Sequence, residues 1–270
     1  MTENATSIAH VNAAPSSGTT LQQPTGHAAP LLASARQANR FIRGDCLYVL
    51  PQLPAACVDL VLTDPPYLVN YSSRDGRTLA GDDAIGDWLM PAFQAMARVL
   101  KPGCFCISFY GWSKVDIFMQ AWRAAGFQPV GHFVFIKSYN SSNRKRLLRY
   151  FHEQAYLLAK GKPAQANYTL RDVLPFEYTG NQHHPTEKPL YPLRKLIGAF
   201  SNPGDLVLDP LAGSGSSLIA ALQMGRQYLG CEKHPEYYRI TKQRLLDEQA
   251  RLSRQRPALG PVELIEAAAC

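Results

Sequence analysis

At 270 residues the chain has room for one medium-sized domain, since single hydrophobic cores commonly reach this length. Its 46% hydrophobic and 18% charged residues suit a soluble globular protein, and no apolar run approaches the roughly 20 residues needed to span a bilayer. The formal charge of +7 points to a polyanionic partner, and the start MTENATSIAH lacks the basic and apolar blocks of a secretory signal, so a cytoplasmic location is expected.

Residues 1–38 are rich in Ala, Ser, Thr, Gln and Pro and carry almost no periodic hydrophobicity, which predicts a disordered tail. From Phe41 the texture changes: FIRGDCLYVL and VDLVLT read as β-type runs, the second ending in DPPY. The polar, Gly-rich stretch 68–86 predicts a long loop of the kind that carries function. DWLMPAFQAMARVLKPG has helical spacing and closes near Leu100. CFCISFYGW then reads as a strand, VDIFMQAWRAAG as a helix stopped by Gly126, and HFVFIKSY as a strand. SSNRKRLLRYF interrupts, HEQAYLLAKG resumes as a strand, and a turn-rich stretch runs from Lys162 to His184. Helix PLYPLRKLIGAF, strand DLVLD, helix SSLIAALQMG, strand YLGCE and helix EYYRITKQRLLDEQARL follow. Strands alternating with helices imply an α/β fold, a mostly parallel sheet with helices on both faces. The packed domain is expected over 39–253, with 254–270 as a C-terminal tail. The six cysteines are scattered, and their only close pair, Cys104 and Cys106, alternates along a strand, so reduced thiols and no metal site are expected.

Two stretches carry chemistry. In GDLVLDPLAGSGSSLIAA an apolar strand runs into Asp209, Pro210, Leu211 and Ala212, then Gly213, Ser214 and Gly215, then a helix. Glycines there let the backbone approach a ligand closely, and the helix start offers unpaired amides. Glu232 ends the next strand, where a doubly wound fold places the carboxylate that receives ribose hydroxyls. A dinucleotide site wants a third glycine where this chain has Leu218, and a Walker loop wants GK[ST], which is absent. Asp209 would repel a phosphate but suit an ammonium group. The turn therefore fits an amino-acid-bearing nucleoside, while a plain tight turn from strand to helix stays open.

The second stretch is DPPY, with Asp64, Pro65, Pro66 and Tyr67 at the carboxyl end of a strand. A carboxylate, a carbonyl and an aromatic plane together make a receptor for a flat heterocycle carrying an NH2 group. Accepting both amino protons localises the nitrogen lone pair toward an electrophile, a form of electrostatic preorganisation.

With these motifs the chain resembles the β group of DNA amino-methyltransferases, in which the DPPY block precedes the cofactor block. GDCL…VDLVLTDPPY (44–67), RVLKPG, HEQAYLLAKG, HPTEKPLYPLRKLI (184–197) and NPGDLVLDPLAGSGSSLIAALQMGRQYLGCEKHPEYY (202–238) carry the resemblance. It implies S-adenosylmethionine as methyl donor and a Rossmann-like methyltransferase fold, a seven-stranded mostly parallel sheet with one antiparallel hairpin. A catalytic half at 39–137, a hairpin loop and small recognition region at 138–183, and a cofactor half at 184–253 follow from it. Asp64 and Tyr67 match the catalytic motif, Asp209, Gly213 and Gly215 the methionine-side cradle, and Glu232 the ribose contact. Asp45 matches an adenine contact, a loop cap being the equal alternative, and Thr186 and Lys188 match a motif closing the cofactor pocket. Leu211 stands where the family usually has Phe, and Ser216 and Ser217 where it has a Thr pair. Asp at the first DPPY position is the form typical of adenine methylation.

A base inside a duplex has to be extruded to reach such a pocket. Tyr71, Arg74 and Arg77 in the loop after DPPY are placed to close over it or fill its gap. No acid lies between Asp116 and Glu153, while Lys137, Arg144, Lys145, Arg146 and Arg149 crowd one hairpin with Tyr139, Asn140 and Asn143, a candidate DNA surface. Its shortness predicts few base-edge contacts and a short or relaxed site. The reading is a metal-free DNA adenine methyltransferase, with DNA as partner. A homodimer and a restriction endonuclease partner are left open, as are cytosine amino methylation, RNA or protein-amide methylation, and a non-enzymatic DNA-binding module.

Overall fold

A computed structural model describes residues 39–70, 81–82, 86–138, 147–184, 186–255 and 262–266. Strand β1 (Asn39–Arg43) leads into a single helical turn, α1 (Cys46–Val49), where sequence composition predicts more strand. The cap decides it: the Asp45 carboxylate accepts a hydrogen bond from Leu47 N at 2.9 Å, satisfying an amide that the turn would otherwise leave open. β2 (Val58–Thr63), α2 (Leu89–Val99), β3 (Leu100–Phe109), α3 (Val115–Ala124) and β4 (Phe127–Lys137) follow, and α3 stops as the spacing predicts, with Gly126 at φ +85°. β5 (His152–Lys160), β6 (Val173–Phe176), α4 (Leu190–Phe200), β7 (Leu206–Asp209), α5 (Ser216–Gln223), β8 (Gln227–Glu232), α6 (Pro235–Gln255) and β9 (Val262–Glu266) complete the described chain.

Among the described residues nine strands form one sheet in the order β6-β4-β5-β3-β2-β7-β8-β1-β9, and β5 alone of the nine runs against its neighbours. The expectation of seven strands is corrected at the two edges. The inner seven are those the periodicity predicts, and the short strands β6 and β9 are added outside them by parallel pairing to β4 and β1. β6 was hidden in the turn-rich stretch because it is four residues long and contains Pro175, which ordinary strand patterning disfavours. β9 lies inside the segment expected as a C-terminal tail, and its pairing with β1 overturns that reading for residues 262–266.

Helices cover both faces. Leu60 and Leu62 of β2 pack with Leu196, Ile197, Leu218 and Ile219 of α4 and α5, while Val61 packs with Phe93, Met96 and Trp122 of α2 and α3. Strand side chains alternate in direction, so a strand covered on both sides reads as a continuous apolar run, as VDLVLT does. From β2 the chain winds through α2 to β3 on one side; from β7 it winds through α5 to β8 on the other. β2 and β7 are parallel neighbours, so the winding direction reverses between them and leaves a crevice beyond their carboxyl ends. Thr63 and Asp209 are the terminal residues there. No described helix is long and apolar enough to cross a membrane.

Candidate active site

One cavity opens at that crevice. It is lined by Asp64, Pro65, Pro66 and Tyr67 from the end of β2 and by the turn Asp209–Ser214 after β7. Asp45, Thr186, Lys188 and Glu232 also line it. The sequence thus names two motifs far apart in the chain, and the β2–β7 pairing brings them to one place. Gly215 is the exception. It stands outside the cavity lining as the N-cap of α5 at φ +75°, and a Cβ there would lie 2.4 Å from Thr241 Cγ2 of α6. Its role is to let α5 start against α6. Gly213, at φ +52°, faces the His184 ring, which a Cβ would meet at 3.4 Å.

The Gly213 side of the cavity is built from held carboxylates. Asp209 is 3% exposed, its Oδ1 accepting from Leu211 N at 3.2 Å and its Oδ2 from the Ser217 hydroxyl. Burial pushes its carboxyl up to about 7, against those two donors. Glu232 accepts from Gly213 N at 2.9 Å and His234 N at 2.7 Å, yet burial still raises its carboxyl above the usual range. Asp45 is both cap and lining, and Lys233 Nζ stands 3.5 Å from its Oδ2. An ammonium at Asp209, hydroxyls at Glu232 and apolar surface from Leu211, Cys46 and Tyr237 between them suit an amino-acid-bearing nucleoside.

His183, His184 and residues 186–188 pack beside this turn. Glu187 pairs with Arg244 at 3.0 Å and with His183 Nδ1 at 3.0 Å, and Arg244 also donates to the Ser214 carbonyl. His184 meets Thr186 Oγ1 through Nδ1 at 3.1 Å and packs edge-on to Tyr237. Lys188, 8% exposed at its side chain, reaches past the cofactor turn: its Nζ donates to Asp64 Oδ2 at 2.6 Å and to the Tyr67 hydroxyl at 3.3 Å. The same ammonium lies 5.4 Å from the Tyr67 ring centroid and 5.1 Å from that of Phe109.

Around DPPY the residues form a chain of alternating charge. The Tyr67 hydroxyl shares its proton between Asp64 Oδ1 at 2.9 Å and Glu153 Oε2 at 3.2 Å, and Glu153 Oε1 accepts from Lys137. Burial pushes the Asp64 carboxyl up while Lys188 pulls against it. Burial also acts on Glu153, but Lys188 and Lys137 outweigh it and hold that carboxyl below the usual range. The Tyr67 phenol is driven well above its ordinary value by burial and by the two neighbouring acids. Glu153 was quoted in HEQAY without a role, because nothing local in the sequence ties it to a tyrosine 86 positions away. Lys137, expected on the DNA-facing surface, instead points inward to Glu153 and lies 5.8 Å from the Phe176 ring centroid. The reason is electrostatic: a carboxylate this enclosed draws the nearest cation inward.

Arg149 is exposed just ahead of β5. Tyr71, Arg74, Arg77, Tyr139, Asn140, Asn143, Arg144, Lys145 and Arg146 lie outside the described residues, as does the N-terminal segment 1–38. The stems of the long loop are described: Val69 N and Asn70 N both donate to Asp82, and Trp88 Nε1 donates to the Gly81 carbonyl at 2.9 Å. Val69, Gly81, Asp82 and Trp88 thereby form the cavity wall beside Tyr67.

The switch-point crevice thus holds both motifs in one cavity. The DNA methylase family pattern of the N6/N4 type matches residues 58–243. The chain therefore belongs to that family. YubD of Escherichia coli (strain K12) is 53% identical over 207 residues, which cover 77% of this chain and 90% of YubD. The DNA adenine methyltransferase YhdJ of the same organism is 29% identical over 248 residues, 77% of this chain and 83% of YhdJ. Among solved structures, the M1.HpyAVI–SAM complex has a TM-score of 0.62 at 22% identity, covering 76% of this chain and 98% of that one. The PvuII DNA methyltransferase (cytosine-N4-specific) has 0.65 at 16%, covering 87% and 97%. At these identities the structural likeness concerns the fold.

Proposed function

We propose that this DNA methyltransferase acts on the exocyclic N6 amino group of adenine, taken out of the duplex into the cavity beside Tyr67. S-adenosylmethionine is the methyl donor, and when bound it supplies an electrophilic methyl carried on a positively charged sulfur. Asp209, Gly213 and Glu232 are the residues that would hold it, with Thr186 and His184 closing the segment above.

The observation that carries the reading is Asp64 at the tip of β2, bridged by Tyr67 and Lys188, beside the Gly213 turn in a single cavity. An aromatic amine is a poor nucleophile because its lone pair is delocalised into the ring. Asp64 accepts one amino hydrogen and the Pro65 carbonyl the other, which localises that lone pair. Each carboxylate oxygen has two lone pairs, so Asp64 retains accepting capacity beside its present donors. Tyr67 offers its ring for stacking, and its hydroxyl, anchored by Asp64 and Glu153, fixes the ring's orientation. Positive charge developing on the nitrogen is offset by the Asp64 carboxylate, which then accepts the departing proton. Lys188 opposes burial and favours the ionised form of Asp64 that this role requires.

Adenine as the target is supported by Asp64 at the first motif position and by the identity to YhdJ. Nucleoside mass spectrometry of unmethylated DNA treated with the protein and S-adenosylmethionine tests it. N6-methyladenine is the expected product; N4-methylcytosine alone, or label confined to RNA or protein, rejects the adenine assignment.

A further inference from the structure

Outside the cavity lies an aromatic pair, one ring exposed and the other half-buried, without a role in the chemistry above. Trp112 and Tyr150 stack with ring centroids 5.6 Å apart and planes 26° apart, although Trp112 remains 56% exposed. Phe151, next in the chain, is 44% exposed, and Arg149 is exposed beside it. Trp112 opens a short 3-10 turn ending in Lys114. Trp112, Tyr150 and Phe151 put aromatic surface together at one place, and it is such grouping that marks an interaction surface. The pair is also continuous with the candidate active site from both sides. Gly111 abuts Tyr67 so closely that a Cβ there would stand 2.9 Å from Tyr67 Cβ. Glu153, three residues beyond Tyr150, holds the Tyr67 hydroxyl. Each arm of the stack is thus tied to the tyrosine that lines the mouth of the cavity.

We propose that Trp112 and Tyr150 form a stacking platform for a base of the DNA flanking the extruded nucleotide, with Arg149 and Lys114 toward its phosphates. A flat, exposed indole backed by a second ring presents a π face of nucleobase size without hydrogen-bond readout. Such a surface binds any base by stacking and adds affinity with little sequence preference. Its position next to Tyr67 means that a strand delivering one base to the cavity passes a neighbouring base over Trp112. The platform also replaces stacking that the flanking base loses when its neighbour leaves the duplex.

This inference rests on DNA being the substrate, and the experiment separates the two. Fluorescence anisotropy with a labelled duplex at fixed salt gives the DNA Kd of wild type, Trp112→Ala, Trp112→Phe and Tyr150→Ala, while S-adenosylmethionine Kd and thermal melts are followed in parallel. Trp112→Ala is expected to weaken DNA binding by about 5- to 100-fold and Trp112→Phe to restore most of it, since one base–aromatic stack is lost and regained. S-adenosylmethionine Kd should not change. Trp122 is fully buried and Trp88 lines the cavity, so DNA is expected to quench wild-type tryptophan fluorescence with two contributions, of which Trp112→Phe removes the one owed to Trp112. Equal DNA Kd values for wild type and Trp112→Ala, or no quenching in the wild type, overturn the platform even where adenine methylation proceeds. If Trp112→Ala turns a dimer into a monomer in sedimentation with DNA affinity unchanged, the face belongs to a second copy of the chain and the platform is overturned. A wild-type protein that binds no DNA overturns the functional reading and the platform with it.

Discussion

Asp209 ends β7 almost wholly enclosed, and its ionisation is a direct readout of the proposed cofactor contact. An acid whose folded value lies above its unfolded value of about 4 favours folding while protonated. That contribution is full below about pH 4 and is lost as pH rises through about 7. The stability difference between wild type and Asp209→Asn, measured by denaturant unfolding, should therefore turn against wild type by on the order of 2–4 kcal/mol between pH 4 and 8. A bound ammonium acts in the opposite sense, because it stabilises the ionised carboxylate. Calorimetric affinity for S-adenosylmethionine should tighten by about fivefold from pH 6 to 7 in wild type and stay flat in Asp209→Asn. Glu153 offers a second test. Glu153→Gln removes the carboxylate that Lys137 donates to and should cost about 2–3 kcal/mol, part of it recovered by adding Lys137→Met. Urea unfolding of the cycle checks this, and simple additivity would show that the two side chains are not coupled. Neither this pair nor the Lys188–Asp64 contact, which joins residues 124 positions apart, has any local signature. The sequence shows which residue types can bear charge; which of them meet is set by the sheet order.

At the scale of elements, the strands that run into the site were legible because a parallel strand buried on both faces reads as an apolar run ended by a polar residue. VDLVLT before Asp64 and LVL before Asp209 both have that form. The elements that escaped are those with weak patterning: α1, decided by one capping carboxylate, and the edge strands β6 and β9, which are short and pair on one side. The glycine turn is a middle case. Sequence marks both glycines as ligand-facing, whereas Gly215 serves the packing of α5 on α6. Gly215→Ala should cost about 2–4 kcal/mol, combining left-handed backbone strain with overlap against Thr241. Gly126→Ala is the control, with positive φ but no atom within 4 Å of the added carbon, and should cost only about 1–2 kcal/mol. Equal losses in urea unfolding would mean that the α5–α6 contact tolerates the methyl group.

For the whole molecule, the order of strands is what converts two distant motifs into one site. The amino-terminal part supplies Asp64 and Tyr67, the carboxyl-terminal part supplies the Gly213 turn, and β2–β7 pairing sets their carboxyl ends side by side. Glu187 and Lys188 tie the parts together a second time, since Glu187 pairs with Arg244, which donates to the Ser214 carbonyl, while Lys188 holds Asp64. Family membership follows from the whole pattern, while the identity of the base depends on a few atoms near Asp64. Single-turnover methyl transfer by Asp64→Asn, with S-adenosylmethionine affinity measured on the same preparation, probes those atoms most directly. With adenine as the proposed target, the rate should fall by about 100-fold or more while cofactor affinity stays within about twofold, as expected when charge is removed only where it develops in the transition state. A variant that still methylates adenine at the wild-type rate would contradict that expectation.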